Sequence, residues 1–296
     1  MATLSIFANF YINDEERFLR VKDSFLSFKD IEAENWVINV RGKFKHDLQK
    51  FLRDKLGSKL IPHELESEDG WFCDTEKMLK DIRGDFVLLW LEDHINMTDV
   101  GNYGKIINDM KSSGAEYMTH SWWFSGKPLL VYKDIEKKEL ETLYSFDLTK
   151  SDSEHITEKH SMYIISLLGI FSNSLFKRII TTGPPLFRVY PKKTPLDFEK
   201  GGYETEWLPL KYAIPKFELF ASIDDGGDEY SLQGRGLYPK REKIVENSHN
   251  SRAIAKGVIL RKIKNYIPNF MYKKLVRIIT FWGRFFRYIS LLQRGL

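Results

Sequence analysis

Asp85-Phe86-Val87-Leu88-Leu89-Trp90-Leu91-Glu92-Asp93-His94 is an unbroken apolar run that ends abruptly in two carboxylates and an imidazole. Its apolar part, Phe86 to Leu91, is too short for a helix. With Gly84 before it and charge after it, the run reads as a central parallel strand covered on both faces. Ligands of open α/β sheets bind outside the carboxyl ends of the strands. Glu92, Asp93 and His94, each of a metal-ligating type, therefore mark the expected active site.

Upstream of this stretch, strand and helix signals alternate. Leu4 to Ile12 (LSIFANFYI) is β-rich, Asn13-Asp14 supplies a helix cap, and Phe18, Val21, Phe25 and Phe28 recur at helical spacing. Trp36 to Val40 repeats the strand pattern and His46 to Leu56 the helix pattern, with Gly57 placed to end it. Lys59 to Leu65 supplies a third strand, and Gly70 to Ile82 a helix leading into the opening run. Such alternation specifies an α/β sheet. Downstream, Tyr103 to Met110 is helical in pattern and Glu116 to Phe124 is a strand ending in Trp122-Trp123. Residues 134–160 read as a helix and a mobile loop, Gly169 to Ile180 as a helix, and 224–236 as a surface loop or flap. Thr194-Pro195 is a helix-start signature that sets Asp197 and Glu199 in a first turn.

Composition bounds the class. The 296 residues suffice for one large α/β domain with an appendage. A single cysteine, Cys73, excludes an internal disulfide framework and a cysteine zinc site, as a reducing cytoplasm permits. No signal peptide is expected, because Met1 to Tyr11 lacks a basic start, and no apolar run is long enough to span a membrane. The net charge of +4 is unevenly spread: residues 251–296 hold eleven Lys/Arg and no acid, which leaves 34 basic against 41 acidic residues before them. The chain thus divides into a catalytic region, 1–250, and a basic tail, 251–296.

The segment Gly70 to His94, a short helix with a polar first turn, then Gly-Asp, then an apolar strand ending in acids, resembles the GT-A glycosyltransferases of bacterial surface-polysaccharide synthesis, and the likeness spans residues 3–205. The resemblance implies a Rossmann-type mixed sheet with flanking helices. It implies a nucleotide-sugar donor contacted by Asp74, Lys77, Glu92 and Asp93, and a divalent metal, Mn or Mg, held among Glu92, Asp93 and His94. The later acidic motif that supplies the base in inverting members would match Asp197-Phe198-Glu199. The tip departs from a two-carboxylate motif. In an extended chain Glu92 and His94 share a side and Asp93 faces away, a ligand set that suits Mn²⁺ better than Mg²⁺ and leaves metal-independent chemistry open.

Each of these residues also has a plainer reading. An acidic strand end is often a solvated turn. Asp197 and Glu199 favour a helix N-terminus through its dipole, and Asp74 is a good capping residue. Trp122-Trp123 serve either core packing or stacking on a sugar ring, and Arg41 after the second strand either touches a nucleotide or is solvated. The other histidines, His46, His63, His120, His155, His160 and His249, show no metal-ligand spacing.

From Met271 to Leu292, Lys273, Arg277, Arg284 and Arg287 fall in one arc at helical spacing, opposite Leu275, Ile279, Trp282, Phe286 and Ile289. A basic amphipathic helix of this kind lies in the interface of an anionic membrane, with docking on its own domain or a second subunit as the alternative. No nucleic-acid motif accompanies the charge. The sequence therefore reads as a glycosyltransferase at the cytoplasmic face of the cell membrane, acting on a lipid-linked or oligosaccharide acceptor. Two rivals are a nucleotidyltransferase, whose glycine-rich phosphate loop is missing after the first strand, and a noncatalytic membrane-associated scaffold.

Overall fold

The computed structural model describes residues 1–119, 131–160, 164–182, 195, 207–224 and 230–238. All of these lie in the first of the chain's two units, Met1–Arg241. The basic tail, Trp122-Trp123 and the Asp197-Phe198-Glu199 motif fall outside the described residues. The chain forms the α/β class and the mixed, helix-flanked sheet expected of a GT-A-like fold.

The amino-terminal part follows the expected alternation. Strand β1 is Leu4–Tyr11, and helix α1 is Glu15–Phe28. Asp14 caps α1 by accepting the Arg17 N–H at 2.8 Å, and Glu15 and Glu16 complement the helix dipole in its first turn. Strand β2 (Asn35–Arg41), helix α2 (Lys45–Leu56) and strand β3 (Leu60–His63) follow. Gly57, at φ +54°, ends α2 in a conformation other residues resist. Helix α3 (Trp71–Met78) then leads into β4 (Phe86–Leu89).

Past β4 come β5 (His94–Asn96), α4 (Gly101–Ser113), β6 (Tyr117–Thr119), β7 (Lys138–Glu139), β8 (Leu143–Leu148) and α5 (Lys150–His160). Last are β9 (Gly169–Ser172), α6 (Asn173–Thr182), β10 (Leu210–Pro215) and β11 (Phe220–Ser222). Among the described residues, nine strands form one sheet in the order β3-β2-β1-β4-β9-β6-β10-β8-β7, and β11 pairs with β5 apart from it.

Strands β3, β2, β1 and β4 are mutually parallel. Their side chains alternate between two apolar layers. Ile6, Phe10, Trp36, Ile38, Leu88 and Trp90 pack on one face with α1, α2 and α4. Phe7, Val37, Val87 and Leu89 pack on the other with α3 and α6. Burial on both faces explains why these strands read as continuous apolar runs.

Three expectations are corrected. The opening strand is not wholly parallel in its pairing: β4 lies parallel to β1 but antiparallel to β9, which runs between β4 and β6. Residues 134–160 contain the strands β7 and β8 as well as α5. Gly169 to Ile180 is a strand before it is a helix, because Gly-Ile-Phe is buried between two neighbours and α6 starts only at Asn173. A side chain at Gly169 would place its Cβ 2.5 Å from the Met118 carbonyl oxygen, so the close approach of β6 requires glycine there.

Candidate active site

The carboxyl ends of β1, β2 and β4 share one edge of the sheet, and of the residues expected at the site Asp74, Lys77, Glu92 and Asp93 lie on segments at that edge. The opening strand stops at Leu89 and does not continue to residue 94. Trp90 still hydrogen-bonds through its backbone N–H to the Phe7 carbonyl at 2.8 Å. Its indole leaves the strand for an aromatic box, 4.8 Å from the Phe10 ring and 5.5 Å from that of Trp36, centroid to centroid. The chain then turns at Glu92-Asp93 and starts β5 at His94. The expectation that Glu92 and His94 share the side of an extended strand is therefore corrected.

The turn is pinned from below. Ser24 of α1, fully buried, donates its hydroxyl to the His94 carbonyl and accepts the Trp90 indole N–H at 2.8 Å. From the far side the Ile223 N–H reaches the Asp93 carbonyl at 2.7 Å. Asp93 Oδ1 and His94 Nδ1 are 2.7 Å apart, and the buried His94 ring packs edge-on against Phe220. Arg17 Nη1 donates to the Tyr11 carbonyl at 3.2 Å and sits 3.7 Å from Glu92 Oε1. Arg20 bridges Glu16 at 2.5 Å and Asp224 at 2.9 Å.

These neighbours separate two adjacent carboxyls. Burial, and then the charge of Asp93, push Glu92 above the ordinary glutamate range. Burial works against the Asp93 charge too, but the charge and hydrogen bond of His94, helped by Arg20, outweigh it and hold Asp93 below the aspartate range. For Arg20, burial opposes the charge, and the hydrogen bonds and charges of Asp224 and Glu16 overcome it and raise its pKa.

A second cluster lies at the ends of β1 and β2. Asp74, in the first turn of α3, is fully buried, and both its oxygens accept the Ser67 N–H at 3.2 Å. Lys77 Nζ is 3.9 Å from Asp74 Oδ1 and Arg41 Nη1 is 4.0 Å from Oδ2. Two buried asparagines tie α3 and the segment before it to the sheet. Asn9 and Asn39 are register partners, linked at 3.0 Å. Asn9 Nδ2 donates to the Trp71 carbonyl and to Thr75 Oγ1, both at 3.1 Å, and the Trp71 indole N–H returns to the Asn9 carbonyl at 3.1 Å. Asn39 exchanges hydrogen bonds with the Leu65 backbone at 2.8 and 2.9 Å. Asp74 is thus locked to the sheet by polar groups inside two apolar strands.

The donor-binding residues expected from the sequence therefore fall into two groups along one edge, Asp74 with Lys77 and Glu92 with Asp93. Arg17, Arg20, Asn9, Asn39 and Asp224 join them without having been foreseen. The expected trio of metal ligands does not converge: among the described residues no three His, Cys, Asp or Glu side chains gather to hold a metal. His94 Nδ1 is engaged with Asp93 instead. What the donor set fits is a cation bound by one or two carboxylates, completed by ligand oxygens and water, as Mg²⁺ and Mn²⁺ accept.

No family model matches this chain, and no curated protein does. Among solved structures it is similar to S. aureus TarS, at 14% identity and a TM-score of 0.49, over 74% of this chain and 36% of that one. It is likewise similar to TarS 1–349 in complex with UDP-GlcNAc, at 14% identity and a TM-score of 0.48, over 80% of this chain and 62% of that one. Against TarS 1–349 in complex with UDP the identity is 14% and the TM-score 0.48, over 74% of this chain and 59% of that one. The chain spans less than two thirds of the length of each of these structures.

Proposed function

We propose that this chain is a glycosyltransferase that takes a sugar from a nucleotide donor. The observation that carries the reading is the gathering of Asp74, Lys77, Arg41, Glu92 and Asp93, from three separate segments, along the carboxyl edge of four parallel strands. Transfer needs a group to stabilise the departing diphosphate, a base for the acceptor hydroxyl, and walls that orient both. The acceptor oxygen forms its bond to the anomeric carbon while the bond to the diphosphate oxygen breaks, and the base takes the hydroxyl proton. When bound, a divalent cation at Glu92 and Asp93 would neutralise charge on the leaving diphosphate. Asp197 or Glu199 serves as the base, and Asp74 and Lys77 face the donor. The basic tail brings the enzyme to an anionic membrane, where the acceptor is a lipid-linked saccharide.

The test is a screen of UDP-, GDP-, dTDP- and CMP-sugars for thermal stabilisation with and without Mn²⁺, followed by assay of sugar release. A donor at 100 times its dissociation constant stabilises by about 2.7 kcal/mol. A nucleotidyltransferase would instead release pyrophosphate from a nucleoside triphosphate, and a scaffold would turn over neither. Asp197→Asn or Glu199→Gln should lower transfer by about 10²- to 10⁴-fold and spare donor affinity. Full activity in both variants would remove the base from this motif.

A further inference from the structure

Arg41 is the largely buried cation of the second cluster, whereas Lys77 is exposed, and among the described residues it has no settled partner. It and Tyr11 are register partners at the ends of β2 and β1. Its side chain is only 14% exposed, and its Nε is buried with no hydrogen-bond partner. Asp74, at 4.0 Å, is too far for a hydrogen bond, and the Tyr11 ring centroid lies 6.0 Å from the guanidinium. Asp74 does not close that gap, since it is fully buried and held by the Ser67 N–H. An orphaned buried donor calls for an explanation, and a ligand that supplies the missing acceptor is one.

Charge says which ligand. Arg41 and Lys77 approach a single carboxylate, Asp74, with Asp69 standing beside it on the Ser67 loop. At the turn after β4 carboxylates predominate, because Glu16, Glu92, Asp93 and Asp224 outnumber Arg17 and Arg20. An anion arriving at this edge is repelled there and meets its donors at the Arg41 end. A guanidinium only donates, and its planar fork matches two oxygens of a phosphate.

We propose that Arg41, assisted by Lys77, is a phosphate-binding residue that leaves its long contact with Asp74 to grip a ligand phosphate without a metal. Its identification with the diphosphate of a sugar nucleotide rests on the function proposed above; the phosphate site itself does not. The test uses the full chain with inorganic pyrophosphate in EDTA, measured by titration calorimetry. Binding should weaken about 10- to 100-fold in Arg41→Gln and by less in Arg41→Lys, which keeps the charge but loses the fork. Should Arg41→Gln fail to fold, Arg41→Lys decides: a loss of about threefold or more upholds the site, and unchanged affinity overturns it. Absence of pyrophosphate binding by the parent chain, or equal binding by Arg41→Gln, also overturns it. Arg41-dependent pyrophosphate binding with no sugar nucleotide turned over would keep this site and remove the glycosyltransferase reading. Normal turnover and KM in Arg41→Gln would do the reverse.

Discussion

Glu92 and Asp93 are chemically alike and adjacent, yet their surroundings drive their proton affinities apart. A glutamate whose pKa is raised on folding is costly to keep ionised. That cost is present at neutral pH and is relieved as pH falls through the raised folded value towards the unfolded one near ~4.3. Asp93 is lowered on folding, so its contribution is present above the unfolded value near ~3.9 and is lost as pH falls through the folded one. Glu92→Gln should therefore raise Tm at pH 7 and Asp93→Asn lower it, the first difference fading as pH falls towards about 4.3 and the second only below about 3.9. Both variants should lose transfer. Scanning fluorimetry across pH checks the first statement, and shifts of the same sign in both variants would refute it.

The same residues show what can be read from a sequence. Charge at the end of an apolar run singled out Glu92 and Asp93, whereas Asp74 and Lys77 came only from the resemblance to the GT-A enzymes. The partners of Glu92 and Asp93 were not legible, because Arg17 and Arg20 read as ordinary polar positions of an amphipathic helix. Only the turn at Glu92 brings them to the tip. Asn9 and Asn39 were the missed signal: each interrupts an apolar strand at the same register, and a buried amide in such a place must find a partner.

At the scale of elements, periodicity located β1 to β4 and their helices, since each has one clear repeat and a marked end. It failed for β9, a four-residue strand that runs straight into a helix, although Ser172, whose hydroxyl accepts the Leu175 N–H at 3.2 Å, marks the boundary as a cap. Close packing of strands also leaves a test at Gly84. A Cβ there would lie 2.5 Å from the Ser5 backbone nitrogen and 2.7 Å from the Leu4 carbonyl carbon, and neither is a side chain able to swing aside. Gly84→Ala should destabilise by about 1–3 kcal/mol through forced separation of β1 and β4, read as a lower urea midpoint at unchanged slope. An unchanged midpoint would mean the two strands have room that their geometry denies.

For the whole molecule, the charge distribution is the main lead beyond the described residues. No helix among the described residues is long and apolar enough to cross a membrane. Residues 251–296 carry eleven basic groups, each contributing roughly 1 kcal/mol near an anionic surface before screening. Deleting them should release the protein from anionic liposomes in a sedimentation assay and leave transfer to a soluble acceptor intact. High salt should weaken binding of the full chain in part, since burial of Trp282 and its apolar neighbours is not screened. Failure of the full chain to bind at low salt would assign the tail to protein contacts.

The place of β9 between β4 and β6 also bears on how the chain emerges from a ribosome. The strands β3, β2, β1 and β4 can pair as soon as residue 89 is free, but the edge of β4 then waits for Gly169–Ser172. Until those residues are made, β6 has no β9 to join it to the parallel half, and an apolar strand edge stays open to any other chain. Between the making of β4 and of β9, the edge of β4 is thus the place where a nascent chain of this protein is open to wrong pairing.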